Sequence, residues 1–171
     1  MATPTTPPQR APIKVQLRDF RPDDMSWVIC AHVEVYRQDF GFDDAFALSI
    51  DEKMRQWLAR ADPLKRMWIA ESDGRRVGCI AISDAGDGTA FLNFVLVLAP
   101  FRRRQLGRHL LMTALDHARR RGQREARLET YQCLEAARAL YRRVGFRLVE
   151  THAPEHKYGR QIVSEYWSLP L

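Results

Sequence analysis

The succession of apolar patterns predicts an α+β fold, with a central mixed, mostly antiparallel sheet of about seven strands flanked by about four helices. Three observations carry this reading. Residues 91–98, FLNFVLVL, form an almost continuous apolar run broken only by Asn93, as a strand buried on both faces requires. Asp73-Gly74 joins two short apolar runs, 67–70 and 77–82, and is a strong hairpin signal. Helical spacing appears twice before these strands and twice after them, giving the order β-α-α-β-β-β-α-β-α-β-β.

Each element follows from local chemistry. Residues 1–12 are Thr/Pro-rich and are expected to be a disordered tail, leaving residues 13–171 as one domain. Residues 13–19 alternate as a first strand. Arg21-Pro22-Asp23-Asp24 reads as a helix start with acids in the first turn, and Met25, Val28, His32 and Val35 follow at helical spacing. Gly41 breaks that helix. Asp43-Asp44 opens a second, which runs to about residue 60 before Ala61-Asp62-Pro63.

After the hairpin strands, Gly86-Asp87-Gly88 turns the chain into the long apolar run, which Pro100 ends. Leu106, Leu110, Ala114, Leu115 and Ala118 then fall on one helical stripe, closed by Arg119 to Arg121 and Gly122. Ala126, Leu128 and Thr130 alternate as a strand. Leu134, Ala137, Leu140, Tyr141 and Val144 mark a last helix, stopped by Gly145. Residues 146–151 and 162–169 close the chain as strands, with a polar loop expected between them.

Composition excludes several classes of protein. The 46% hydrophobic and 28% charged fractions are those of an ordinary globular chain. The net charge of +6 favours anionic ligands. Cys30, Cys79 and Cys133 are widely spaced in apolar settings and read as buried reduced thiols. No metal site is expected, because no CxxC or His/Cys cluster occurs. There is no signal-peptide core and no membrane-length apolar run, so the chain reads as cytoplasmic and without a membrane partner.

The most informative segment is the turn after the apolar strand, where Arg102, Arg103 and Arg104 precede a helix. Orphan amides and the positive end of the helix dipole favour an anion there, and the arginines repel one another unless an anion neutralises them. A phosphorylated cofactor is the expected ligand.

This segment resembles motif A of the GNAT superfamily of acetyl-CoA-dependent N-acyltransferases, Arg/Gln-x-x-Gly-x-Gly/Ala. In the preferred register Arg102 leads, Gln105 stands at the first glycine and Gly107 at the second. A rival register from Arg104 puts Gly107 first and His109 second. Either way one glycine is missing. LYRRVGF, residues 140–146, resembles the motif B ending, although Leu134 stands where many members carry asparagine. Residues 14–171 are most similar to the acetyltransferase half of MarR–GNAT fusion proteins, through WIAESDG (68–74), motif A, LYRRVGF and the tail from His156. Leu98 replaces a frequent acid. No helix-turn-helix half is found, so DNA binding is not transferred.

The resemblance implies a GNAT fold and transfer of an acetyl group from acetyl-CoA to a primary amine, by direct attack in a ternary complex. The backbones of Val95, Leu96 and Val97 would pair with the pantetheine arm. Arg102, Arg103, Arg104, Gln105, Gly107 and Arg108 would hold the pyrophosphate. Tyr141 would protonate the leaving thiolate, although its spacing also fits a packed helix aromatic. Glu129 is the candidate base, with an exposed structural role equally open. Glu34, Tyr36, Asp39 and Phe40 lie where the family binds its acceptor, and His152, His156 and Tyr158 border that place. His32 reads as a core histidine.

The acceptor is a small molecule or a protein amino group, and a homodimer stays open. Two other readings compete with this one. A catalytically silent acyl-CoA sensor would explain the missing glycine and asparagine. A nucleic-acid module would need a motif or stacking platform that is not found.

Overall fold

The computed structural model describes residues 14–171. The expected N-terminal tail and the first residue of the expected opening strand lie outside the described residues. Among the described residues the order is β1 (Gln16–Asp19), α1 (Asp24–Phe40), α2 (Asp44–Ala59), β2 (Arg66–Ser72), β3 (Arg75–Gly86), β4 (Thr89–Val97), α3 (Leu106–Arg120), β5 (Glu125–Tyr131), α4 (Glu135–Val144), β6 (Arg147–Thr151), β7 (Glu155–Lys157), β8 (Arg160–Ile162) and β9 (Ser164–Pro170). Seven strands form one sheet in the order β1-β2-β3-β4-β5-β9-β6. Neighbours are antiparallel except β4 and β5, which are parallel.

Helix ends obey local rules. The Asp43 carboxylate accepts the Ala45 N–H at 3.0 Å and starts α2. Gly41, at φ 68°, and Gly145, at φ 113°, end α1 and α4 in the left-handed region that side chains disfavour.

The sheet carries apolar residues on both faces. Leu106, Leu110, Leu111, Ala114, Leu115 and Ala118 of α3 pack on one face against Ile80, Ile82, Ala90 and Leu92. Val28 and Ala31 of α1, with Phe46, Ile50, Met54 and Trp57 of α2, cover the other face against Cys79, Ala81 and Leu96. In β4 the two faces exchange parity. Ala90 and Leu92 face α3, whereas beyond them Val95 and Val97 do so, and Phe94 and Leu96 face α1 and α2. The cause is a bulge: Asn93 pairs with Ala81 and Leu96 with Cys79, so Phe94 and Val95 together oppose Ile80. Phe94 takes φ 50°, and its carbonyl accepts from the Cys79 thiol at 3.1 Å.

Two buried carboxylates tie the ends of the sheet. Asp24 accepts from Arg18 at 2.6 and 2.9 Å, from Arg76 at 2.6 Å and from the Arg21 N–H at 2.7 Å. Asp24 stands in the first turn of α1 as its sequence position predicts; it is buried there and anchors α1 to β1 and β3. Burial opposes its ionisation, but the bonds from Arg18, Arg21 and Arg76 prevail and hold its carboxyl well below the usual carboxylate range. Glu165 accepts from Arg138 at 2.8 and 2.9 Å and from the Trp167 indole at 3.1 Å, fixing α4 to β9.

Two expectations are corrected. Cys79 is buried but Cys30 is exposed, because it lies on the side of α1 away from Val28, Ala31 and His32. The expected polar loop contains the β7–β8 hairpin, whose two-residue turn, Tyr158-Gly159, has both φ values positive. That turn has a tyrosine where Asn or Asp would have signalled it.

A methyl group at Gly78 would lie 2.8 Å from the Leu96 carbonyl oxygen, a backbone atom that cannot swing aside. Gly78→Ala should therefore cost about 1–3 kcal/mol in chemical denaturation, by forcing β3 and β4 apart. Because the Asp24 pKa is lower folded than unfolded, its contribution to stability is present above about pH 4 and is lost as the pH falls toward the depressed value. Asp24→Asn should cost about 3 kcal/mol at neutral pH and flatten that acid-side slope.

Candidate active site

Pairing between β4 and β5 runs only from Thr89↔Glu125 to Leu92↔Leu128. Both strands continue, β4 to Val97 and β5 to Tyr131, while β5 stays paired with β9 as far as Tyr131↔Ser164. The bulge turns β4 where its ladder with β5 ends, and a cleft lies between the parted strands. Asn93 and Val95 line it from β4, Glu129 and Tyr131 from β5, Tyr36 from α1, Lys53 from α2 and Tyr141 from α4.

The chemistry of the walls is set by burial. Tyr141 is 5% exposed and packs against Phe146 and Trp167, with ring centroids 6.0 and 6.5 Å away. Burial pushes its phenol up, so it stays protonated at neutral pH. Glu129 is a quarter exposed, with its Oε2 3.8 Å from the Lys53 Nζ. His32 bonds the Val28 carbonyl through Nδ1 at 2.7 Å, and its ring stacks on Tyr36. Burial lowers its pKa to about 4 against the effect of that bond, with Lys53 adding to the fall, so the imidazole is neutral. The Thr130 hydroxyl is buried in the same wall without a hydrogen-bond partner.

At the end of β4 a short turn, Ala99–Phe101, leads to the start of α3. Arg103 and Gln105 both adopt left-handed φ, 59° and 65°. Gln105 is the N-cap but gives no side-chain cap, and His109 supplies the first N–H that bonds back, to the Gln105 carbonyl at 2.9 Å. Among the described residues, the N–H groups of 103–108 find no backbone acceptor. Alternating left-handed residues leading into an uncapped helix form a concave set of donors suited to a phosphate. Arg103 and Arg108 are exposed beside it. A diphosphate-bearing cofactor fits this place.

A model of the acetyltransferase (GNAT) family matches residues 21–146 of the chain. The chain belongs to the GNAT family. Among curated proteins, it is 38% identical over 82 residues to the probable N-acetyltransferase camello of Xenopus tropicalis; the match spans 47% of this chain and 37% of that one. A GNAT acetyltransferase from Staphylococcus aureus superposes with a TM-score of 0.74 at 14% identity, covering 92% of this chain and 99% of the other. The ribosomal-protein-alanine N-acetyltransferase of Brucella melitensis gives 0.74 at 18% identity, covering 91% and 99%. At these identities the structures establish the fold.

Against this GNAT frame the expected site residues separate. Tyr141, Glu129, Tyr36 and Val95 share one cleft. Arg103, Arg104, Gln105, Gly107 and Arg108 share the phosphate-fitting turn. At Gly107 a methyl would lie 2.9 Å from Leu140 Cδ2 of α4, the movable end of a side chain. Arg102 is committed elsewhere: its Nε donates to the Val97 carbonyl at 3.0 Å and its Nη1 lies 2.8 Å from Asp39. The Val97 carbonyl and Asp39 are thereby engaged with the chain itself. Leu96 faces α1 and α2.

Glu34 is exposed and bonds Gln38 at 3.1 Å, so it is not brought to the cleft. Phe40 packs on Tyr36 and Phe42 behind it. His152 pairs with Glu150 away from the cleft, His156 is exposed, and Tyr158 is buried against Phe42, Phe46 and Tyr131. Leu134 lines the cleft as an apolar residue at the start of α4.

Sequence reasoning missed Phe46, Ile50 and Lys53. Their i, i+4, i+7 spacing puts them on one face of α2, and that signal was available.

Gln105 holds a conformation that costs a side chain free energy, so Gln105→Gly should raise stability by about 0.5–1 kcal/mol in thermal denaturation without ligand.

Proposed function

We propose that this chain is an acetyl-CoA-dependent N-acetyltransferase that acetylates a primary amine by direct attack within a ternary complex. The observation that carries the reading is the continuity of one feature. The cleft between the parted strands holds a protonated, buried Tyr141 and an ionisable Glu129, and β4 leads from it to the uncapped, arginine-flanked turn.

When bound, the cofactor supplies an activated thioester acyl group. The main-chain N–H groups of 103–108 and the guanidiniums of Arg103, Arg104 and Arg108 hold its diphosphate. The main chain of Val95, Leu96 and Val97 lies along its arm. Arg102 keeps its place in the site by bracing the turn against β4 and α1. Glu129 accepts the proton that an alkyl ammonium must lose before it becomes a nucleophile. Tyr141 donates a proton to the departing sulfur, and burial keeps that proton available at neutral pH. Tyr36 and Tyr131 wall the acceptor end.

A cytoplasmic setting, where thiols stay reduced, agrees with the free Cys30, Cys79 and Cys133. Among the described residues no helix is long and apolar enough to cross a membrane. The likeness to the acetyltransferase half of MarR–GNAT fusions is a resemblance of sequence, and no DNA-binding role is drawn from it.

The sensor reading makes a distinct forecast from the same residues, because Leu134 and Gln105 remove two features that help hold the cofactor. Saturating CoA, at about 100 times its Kd, should raise Tm by about 5–10 °C. With acetyl-CoA and an accepted amine, free thiol should appear, and Tyr141→Phe should lower kcat by about 10²-fold. A Tm rise with no thiol release across a broad amine panel would establish the sensor instead.

A further inference from the structure

The acceptor end of the cleft contains one feature that the N-acetyltransferase reading does not use. Lys53 places its Nζ 3.8 Å from the Glu129 Oε2, a loose contact between side chains that are 51% and 25% exposed. Lys157 and the Tyr166 hydroxyl also act on Glu129 from the β7 and β9 side, Lys157 having its own partner in Glu155 at 3.7 Å, and the rest of the wall is apolar or neutral. Phe46 and Ile50 come from the same face of α2 as Lys53, Tyr36 stacks on Phe46 with centroids 4.6 Å apart and planes at 13°, and His32 is neutral. The Thr130 hydroxyl lies buried and unpartnered in the β5 wall. The cleft mouth thus sets the Lys53–Glu129 pair against an aromatic surface, with the Lys157–Glu155 pair beside it.

The pairing of opposite charges selects the acceptor. A simple alkylammonium docking on Glu129 would displace Lys53 and leave two cations competing for one carboxylate. An amine that brings its own carboxylate avoids this: its ammonium takes the place of Lys53 at Glu129, and its carboxylate takes the place of Glu129 at Lys53. One ion pair becomes two, and no charge is left unpaired. An apolar substituent then lies on Phe46, Ile50 and Tyr36.

Resting on the N-acetyltransferase reading, we propose that the acceptor is an α-amino acid with an apolar or aromatic side chain, bound through its ammonium to Glu129 and through its carboxylate to Lys53. The ammonium gives one proton to Glu129. The freed nitrogen lone pair forms the C–N bond to the acyl carbon, the C–S bond breaks with its electron pair on sulfur, and sulfur takes the Tyr141 proton. The acylated nitrogen then sheds its second proton, which restores Tyr141, and Glu129 passes its proton to water; net, an ammonium and a thioester yield an N-acetyl amino acid, a free thiol and one proton.

The test compares L-phenylalanine, L-phenylalaninamide and phenethylamine as acceptors for the full chain with acetyl-CoA, following thiol release and the mass of the N-acetyl product. The free acid should exceed the amide and the amine in kcat/KM by about tenfold. In Lys53→Met the ratio of acid to amide should fall to about one, and in Lys53→Glu the amide and the amine should both be used better than the acid. Amide or amine used as well as the acid, or a ratio unmoved by either variant, overturns this inference and leaves the acetyltransferase reading standing. No thiol release with any amine, despite a CoA-dependent rise in Tm, overturns both.

Discussion

The extra residue in β4 is the constraint on which the rest of the architecture depends. Because Phe94 and Val95 together face Ile80, the strand reverses which side chains meet α3 and which meet α1 and α2. The same irregularity coincides with the end of pairing to β5 at Leu92 and Leu128. A regular strand would continue the ladder and close the sheet, burying both edges. Left-handed backbone at Phe94 is unfavourable for an aromatic residue, and the Cys79 thiol bonded to its carbonyl helps hold it. A local irregularity therefore produces an open seam in the middle of an otherwise continuous sheet.

An open seam weakens the sheet, and the polar anchors sit where the two halves need to stay in place. Asp24 joins α1 to β1 and β3 on one side of the opening, and Glu165 joins α4 to β9 on the other. Each carboxylate is buried, and each receives several donors, as a buried charge must. Arg102 forms a third brace, from the turn before α3 to the β4 carbonyl edge and to Asp39 at the end of α1. Apolar layers supply most of the cohesion of the two halves. The charged anchors supply their relative position.

Much of this was legible in the sequence where periodicity or backbone chemistry speaks. The helix stripe from Leu106 to Ala118, the Asp73-Gly74 hairpin and the stop at Gly145 all stand where local rules put them. The arginine-rich turn leading into α3 was legible for the same reason, as a stretch of cations at a strand-to-helix junction. What escaped depends on partners far apart in the chain. Asp24 reads as a first-turn acid until Arg18 and Arg76 surround it, and the engagement of Arg102 with Asp39 has no local sign. Glu34 and Tyr36 are two positions apart on one helix, yet one faces water and the other the cleft, a distinction fixed by how α1 lies on the sheet. The β7–β8 turn was hidden because Tyr158 occupies a left-handed position normally given to Asn, Asp or Gly.

Tyr158 also has a temporal consequence. Its ring completes the aromatic cluster of Phe42 and Phe46, its hydroxyl bonds Ser49 at 2.9 Å, and its carbonyl accepts the Asp43 N–H at 3.1 Å. These contacts join the junction of α1 and α2 to a hairpin more than a hundred residues later in the chain. On the ribosome the first two helices emerge long before the residues that seal them. The chain must close a very long loop before the α1–α2 junction gains these contacts, so that wall is completed only after the β7–β8 hairpin has been made.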